Sequence, residues 1–219
     1  MSEPLTFYTN PMSRGRIARW MLEEAACSYE TVVLDYGTTM KGADYLAVNP
    51  MGKVPAIRHG SQVVTEGAAI CAYLADAFPD AGLAPPPGNP TRAPYYRWLF
   101  FGAGPLEAAV TAKALGILAP ADKSAMVGYG SYEDTLRALE TAVSGAGPYL
   151  CGEQFTAADV YLGSQIGWGL QFGTVEKRPA FEDYWARISD RDAYRRATEI
   201  DDALLAEAQA NKPAPGAEG

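Results

Sequence analysis

The segment NPMGKVPAI, residues 49–57, is the part of the sequence most suited to holding a ligand through its backbone. It places Pro50 and Pro55 around Gly52 and Lys53, directly before a β-prone run. A proline removes a ladder hydrogen bond and is therefore unusual beside a strand. The segment is either an edge-strand turn or an irregular stretch that turns its backbone groups outward to a ligand.

The charge of the chain is unevenly distributed. The formal net charge is −8, but residues 1–59 hold six Lys or Arg and six Asp or Glu, so the excess negative charge lies in residues 60–219. A small anion is therefore bound more readily by the N-terminal part, and the acidic balance argues against a nucleic-acid partner. The single histidine argues against a zinc site, and we expect no metal.

The cysteines and the hydropathy indicate where the protein acts. Cys27, Cys71 and Cys151 are far apart and form no CxxC pattern, which is typical of small core residues in a reducing compartment. No run of about 18 apolar residues is present, and the first residues have no signal-peptide pattern. We therefore expect a cytoplasmic protein without a membrane partner.

Hydrophobic periodicity predicts an α/β region at residues 1–79. Strands at 5–8 and 29–34 flank a helix at 14–26, and a loop with one short helix near 42–47 follows. A hairpin that turns at Gly60-Ser61 then leads into a helix that begins at Glu66. The order β-α-β, β-β-α predicts a mixed sheet between helices.

The rest of the chain is predicted to be all helical. A Pro-rich linker at 80–90 precedes the helical region 91–219, whose tail at about 211–219 is expected to be disordered. In FTAAD, Thr156 and Asp159 have the spacing of a capping box, a role in folding rather than catalysis. Helices are predicted at 95–118 with a bend near 102–105, and at 123–143, 155–170, 181–189 and 193–208.

Three motifs together resemble the cytosolic glutathione transferase family. They are SRGR after the first strand, NPMGKVPAI, and TEGAAI, which starts ten residues after Pro55. With the linker, the helical region and FTAADV, the resemblance covers about residues 4–208. It implies an N-terminal thioredoxin-like domain with an all-helical C-terminal domain, glutathione as cosubstrate, and a homodimer. The sequence is bacterial in style, and the subclass is open.

The resemblance assigns glutathione-binding roles to residues of the NPMGKVPAI motif. In the family the proline before the third strand is cis, and the residue before it pairs its backbone with the cysteinyl part of glutathione, as an added strand would. Those residues are Pro55 and Val54 here. Lys53 would lie near the glycine carboxylate, as could Lys41 and Arg16, although each of these two is as readily a surface residue.

The resemblance also assigns a role to the helix that begins at Glu66. In the family this acid pairs with the γ-glutamyl ammonium, although a helix N-terminus favours a carboxylate in any case. A serine usually follows and holds the γ-glutamyl carboxylate. Gly67 keeps only its backbone N–H for that anion, and Thr65 is a possible source of the missing hydroxyl.

The family reaction is attack of the glutathione thiolate on a small hydrophobic electrophile, and it needs a donor that lowers the pKa of the thiol. Ser13 is our first candidate because it immediately precedes the first helix, with helix capping alone as the alternative. Asn10 is the second, because it stands four residues before Arg14-Gly15-Arg16, where tyrosine-type members have their tyrosine. A glutathione-dependent peroxidase, dehalogenase or isomerase, and a non-catalytic binding module, are the alternative functions.

Overall fold

The N-terminal domain is built on a four-stranded mixed sheet in the order β2-β1-β3-β4. The computed structural model describes residues 3–145 and 147–210, so the predicted disordered tail at 211–219 lies outside the described residues. β1 is parallel to β2 and antiparallel to β3, and β3 is antiparallel to β4. The strands are β1 (Leu5–Thr9), β2 (Glu30–Val33), β3 (Ala56–His59) and β4 (Gln62–Thr65).

Three helices complete this domain. α1 (Gly15–Ala25) crosses between the parallel strands β1 and β2, as parallel pairing requires. α2 (Ala43–Leu46) lies in the loop before β3, and α3 (Gly67–Ala77) follows β4. α1 and α3 pack on each other and on the sheet, and the alternating residues Leu5 and Phe7 of β1 are buried. The predicted thioredoxin-like β-α-β, β-β-α order is confirmed.

The C-terminal domain begins with a long helix that contains a π-helical turn. α4 (Arg92–Phe101) continues through a π-helical turn (Gly102–Leu106) into α5 (Glu107–Leu115). Pro105 lies inside the turn and has no N–H to donate, which accounts for the change of helical pitch. A π-helical turn lies where the sequence predicted a bend, and the helix runs from Arg92 to Leu115 rather than from 95 to 118.

The remaining helices confirm an all-helical domain and correct one boundary. A helix predicted at 123–143 is wrong in its first part: a 3₁₀-helix covers Ala121–Met126, and α6 begins only at Tyr132. Gly130 has a φ of 64°, and the Oγ of Ser131 accepts a hydrogen bond from the N–H of Asp134 at 3.0 Å, so the helix is capped there. The helices are α6 (Tyr132–Val143), α7 (Ala157–Phe172), α8 (Pro179–Ser189) and α9 (Asp192–Ala210). Of the helices described, none is both long and apolar enough to cross a membrane.

α1 is held between the two domains. It packs on α7 and α9, and the fully buried Arg19 of α1 forms an ion pair with the fully buried Asp201 of α9, with Nε and Oδ1 3.2 Å apart. Burial raises the pKa of Asp201, while Arg19 and then Arg16 oppose the shift. These contacts fix the position of the loop before α1, which carries Asn10 and Ser13.

Candidate active site

A cleft of about 260 Å³, here called the small cleft, lies where the two domains meet. It brings together five residues that the sequence assigned to glutathione binding: Lys53, Val54, Pro55, Glu66 and Gly67. Its other lining residues are Arg14, Asn49, Met51, Ala68, Ala103, Glu107 and Tyr161.

Asn49 organises the loop on one wall of the small cleft. Its Nδ2 donates to the carbonyl of Lys53 at 2.8 Å, and its Oδ1 accepts from the N–H of Met51 at 3.0 Å. The hydroxyl of Tyr45 donates to the same Lys53 carbonyl at 2.6 Å. The Val54–Pro55 peptide bond is cis. Among the described residues, none hydrogen-bonds the backbone N–H or C=O of Val54, so both groups are free to pair with a ligand.

The start of α3 forms the facing wall. Glu66 has φ 67° and ψ 117°, a conformation that costs a non-glycine residue about 1–3 kcal/mol and that is typical of functional sites. Its side chain is exposed and, in the part of the chain described, makes no capping hydrogen bond to α3. The nearest side-chain partner is the hydroxyl of Thr65, which donates to Oε1 at 3.4 Å. The first N–H groups of α3 are therefore left open toward the cleft.

Ser13 lies at the border between the small cleft and a second, larger one. It lines a cleft of about 980 Å³, here called the large cleft, while the next residue, Arg14, lines the small cleft. The Oγ of Ser13 donates to the carbonyl of Asn10 at 2.6 Å and accepts from the N–H of Gly15 at 2.9 Å. The hydroxyl thus caps the start of α1, on the wall of the large cleft and one residue before Arg14 of the small cleft.

Asn10 has a different position. Its Nδ2 donates to the carbonyl of Leu34 at 2.8 Å, and its Oδ1 accepts from the N–H of Met12 at 2.9 Å. It is 8% exposed and is not among the described residues that line either cleft. The amide joins the loop before α1 to the end of β2.

Three other predicted binding residues lie outside the small cleft. Arg16 lines the large cleft, where its guanidinium contacts Asp202 at 2.7 Å and the Pro11 carbonyl at 2.6 Å. The ammonium of Lys41 donates to the carbonyl of Met51 at 3.0 Å, behind the loop. Thr65 stands beside Glu66 without lining the cleft.

The large cleft lies beside α1, at the C-terminal end of α7 and along α8 and α9. Its charged lining residues are Arg16, Lys177, Glu182, Asp201 and Asp202, but its aromatic side chains give it a mainly apolar wall. The aromatic lining residues are Trp20, Trp168, Phe172, Trp185 and Tyr194.

Seven lining residues of the small cleft were not among the predicted binding residues, and three of these are Arg14, Glu107 and Tyr161. Arg14 forms an ion pair with Glu107 of α5, and the Nε2 of Gln165 donates to the other oxygen of Glu107 at 3.1 Å. Arg14 belongs to the SRGR motif, which was a signal in the sequence for a residue at the site. Glu107 and Tyr161 come from the helical domain, and no local pattern in the sequence shows that these helices reach the small cleft.

Known proteins resemble this chain in sequence. A family model described as the glutathione S-transferase N-terminal domain matches residues 12–77. Glutathione S-transferase GST-4.5 of Xanthomonas campestris is 32% identical over 176 residues, which cover 77% of this chain and 84% of that protein. Glutathione S-transferase GstA of Escherichia coli O157:H7 is 33% identical over 178 residues, which cover 76% of this chain and 79% of that protein.

Solved structures resemble it in fold. The glutathione transferase of Methylococcus capsulatus matches with a TM-score of 0.75 and 30% identity, over 91% of this chain and 99% of that one. A sphingomonad glutathione S-transferase complexed with glutathione matches with a TM-score of 0.73 and 29% identity, over 90% and 98% of the two chains. Sequence and fold agree, and the chain therefore belongs to the glutathione S-transferase family of enzymes.

Proposed function

We propose that this protein binds glutathione in the small cleft and transfers it, as a thiolate, to small hydrophobic electrophiles. The observation that carries this proposal is that the free backbone of Val54 and the open start of α3 line one cleft, with Ser13 one residue before its lining residue Arg14. An extended peptide with an anionic end matches both walls.

Each part of glutathione has a partner in this arrangement. The cysteinyl backbone pairs with Val54, next to Pro55, and the γ-glutamyl ammonium pairs with Glu66. The γ-glutamyl carboxylate lies at the N–H groups of Gly67 and Ala68, where the helix dipole favours an anion. Lys53 is the cation for the glycine carboxylate. Lys41, Arg16 and Thr65 are secondary, since their contacts hold them outside the small cleft.

Ser13 is the proposed donor to the glutathione sulfur. A free thiol has a pKa of about 8.5, and lowering it by two units corresponds to about 2.7 kcal/mol of preferential binding of the thiolate. A hydroxyl donor and the N-terminus of α1 supply a stabilisation of that order. The hydroxyl reaches the sulfur by turning its proton away from the Asn10 carbonyl. Asn10 is the weaker candidate, because both ends of its amide are bound to the backbone.

The large cleft is the proposed site of the electrophile. It adjoins Ser13 and is lined by Met12, Trp168 and Phe172, which suit an apolar or aromatic acceptor. We expect calorimetry to detect glutathione binding, and conjugation of a chloronitrobenzene to be faster than reduction of cumene hydroperoxide. Binding without conjugation would contradict transferase activity, and faster peroxide reduction would favour a peroxidase.

We further propose that the protein is a cytoplasmic homodimer. Met51, Tyr96 and Phe100 leave large apolar side chains exposed, at 62%, 43% and 72%, and such surface often marks a protein contact. All three cysteines are free, which agrees with a reducing compartment. Sedimentation should give a dimer that Phe100→Glu converts to a monomer; a wild-type monomer would contradict this proposal.

A further inference from the structure

The ring of Tyr161 fits a space that two glycines leave open. A Cβ at Gly67, the first residue of α3, would lie 3.1 Å from Cε2 of the ring. A Cβ at Gly102, in the π-helical turn, would lie 3.1 Å from Cδ1 and Cε1 on the other edge. Both distances are tighter than ordinary carbon contacts. The ring therefore occupies the space between the two glycines, and a side chain at either position would press on it.

The hydroxyl of Tyr161 has a proton to donate. The residue is 6% exposed and lines the small cleft. Its oxygen accepts from the Nε2 of Gln165 at 3.5 Å, the same amide nitrogen that donates to Glu107. An amide NH₂ group cannot accept a hydrogen bond, and no other described residue accepts one from this phenol. Burial raises the pKa of Tyr161 to about 12, so the hydroxyl keeps its proton at neutral pH.

The start of α3 lines the same small cleft. Its first N–H groups have no acceptor within the helix and favour an anion. Gly67 contributes a backbone N–H and no side-chain donor. A carboxylate bound to these N–H groups has a further acceptor site, to which a neighbouring hydroxyl can donate a hydrogen bond.

We infer that Tyr161 is a glutathione-binding residue whose phenol O–H donates to the γ-glutamyl carboxylate at the N-terminus of α3. This inference rests on the proposed binding of glutathione in the small cleft. The helical domain thereby supplies the hydroxyl that position 67 lacks. Gly67 and Tyr161 act as a pair, since the absence of a side chain at one allows the ring of the other to approach.

Tyr161→Phe tests the inference because it keeps the ring and removes only the hydroxyl. Calorimetry would compare glutathione with γ-aminobutyryl-cysteinylglycine, which lacks the γ-glutamyl carboxylate. Tyr161→Phe should bind glutathione about ten- to a hundredfold more weakly than the wild type does, the usual effect of losing a hydrogen bond to a charged group. Its affinity for the analogue should be unchanged.

Tyr95→Phe is the matched control. Tyr95 is also buried, its hydroxyl has no partner among the described residues, and it is absent from the described linings of both clefts. This variant should bind both peptides as the wild type does. If Tyr161→Phe binds glutathione like the wild type, or loses the same factor for both peptides, the inference is overturned and the proposed function stands. A wild-type protein that binds no glutathione overturns both.

Discussion

The starts of α3 and α7 each carry an acidic residue, yet the two acids have opposite surroundings. Asp159 of α7 is fully buried. It accepts hydrogen bonds from the N–H and hydroxyl of Thr156 at 2.8 and 2.9 Å, from the N–H of Leu150 at 2.8 Å and from the hydroxyl of Tyr184 at 2.8 Å. Glu66 at α3 is exposed and does not cap its own helix in the described structure.

This difference separates a helix start that stabilises the fold from one that is open to a ligand. At α7 the capping box pairs the N–H groups of Thr156 and Asp159, and the Leu83 carbonyl accepts from the N–H of Ala157, so these groups are not available to a ligand. At α3 the first N–H groups stay open, and Glu66 adopts a costly positive φ. The comparison predicts that changes at α7 alter stability and that changes at α3 alter binding.

Asp159→Ala should have the largest effect of any substitution that tests the comparison. It leaves buried donors of Thr156, Leu150 and Tyr184 without an acceptor, so the free energy of unfolding should fall by at least about 3 kcal/mol. Urea unfolding measures the change. Asp134→Ala is the matched control, because Asp134 has the same position at the start of α6 but is 62% exposed; its loss should be about 0.5–1 kcal/mol. Equal losses would contradict the comparison.

Glu66→Gln should change affinity and leave stability unaltered. Glu66 is proposed to pair with the γ-glutamyl ammonium, so removing its charge should weaken glutathione binding at least about tenfold, while the free energy of unfolding changes by less than about 0.5 kcal/mol. Calorimetry and urea unfolding measure the two effects. Asp44→Asn, at the start of α2 and away from both clefts, should change neither. Unaltered affinity of Glu66→Gln would show that the acid binds no ligand.

Glu66→Gly tests the backbone conformation at the start of α3. Glycine adopts a positive φ more readily, so the variant should be as stable as the wild type or up to about 1 kcal/mol more stable. The control is Glu199→Gly in the middle of α9, which should lose about 1 kcal/mol. If both variants lose stability equally in urea unfolding, the conformation of Glu66 is not strained.

The pH dependence of stability tests the buried acid at α7 and should be the smallest effect. Burial raises the pKa of Asp159. The pKa of Asp159 in the folded protein is therefore higher than its unfolded value of about 3.9. The stabilisation that comes from this pKa difference is fully present below about pH 3.9 and is lost as the pH rises through the folded-state pKa. In urea unfolding at several pH values, the free energy of unfolding of the wild type should exceed that of Asp159→Asn by an amount that decreases toward neutral pH. A difference in unfolding free energy that increases with pH would contradict a raised pKa for Asp159.

Local signals in the sequence predicted the starts of α3 and α7 but did not predict the contacts between the domains. Thr156 and Asp159 are three residues apart and define a capping box on their own. The role of Tyr161 depends on the approach of α7 to α3, which no short window contains. The early start predicted for α6 overlooked a local signal, because Gly128, Gly130 and the cap residue Ser131 stand directly before Tyr132.

The pKa of the bound glutathione thiol is the most direct test of thiolate activation by Ser13. Ultraviolet difference absorbance of the glutathione thiolate, measured against pH with saturating protein, gives the pKa of the bound thiol. We expect the pKa of the bound thiol to lie at least about one unit below the free value of about 8.5. Ser13→Ala should return this pKa toward the free value, and Asn10→Ala should leave it lowered. A wild-type complex with the pKa of free glutathione, or a lowered pKa that survives Ser13→Ala, would contradict the account.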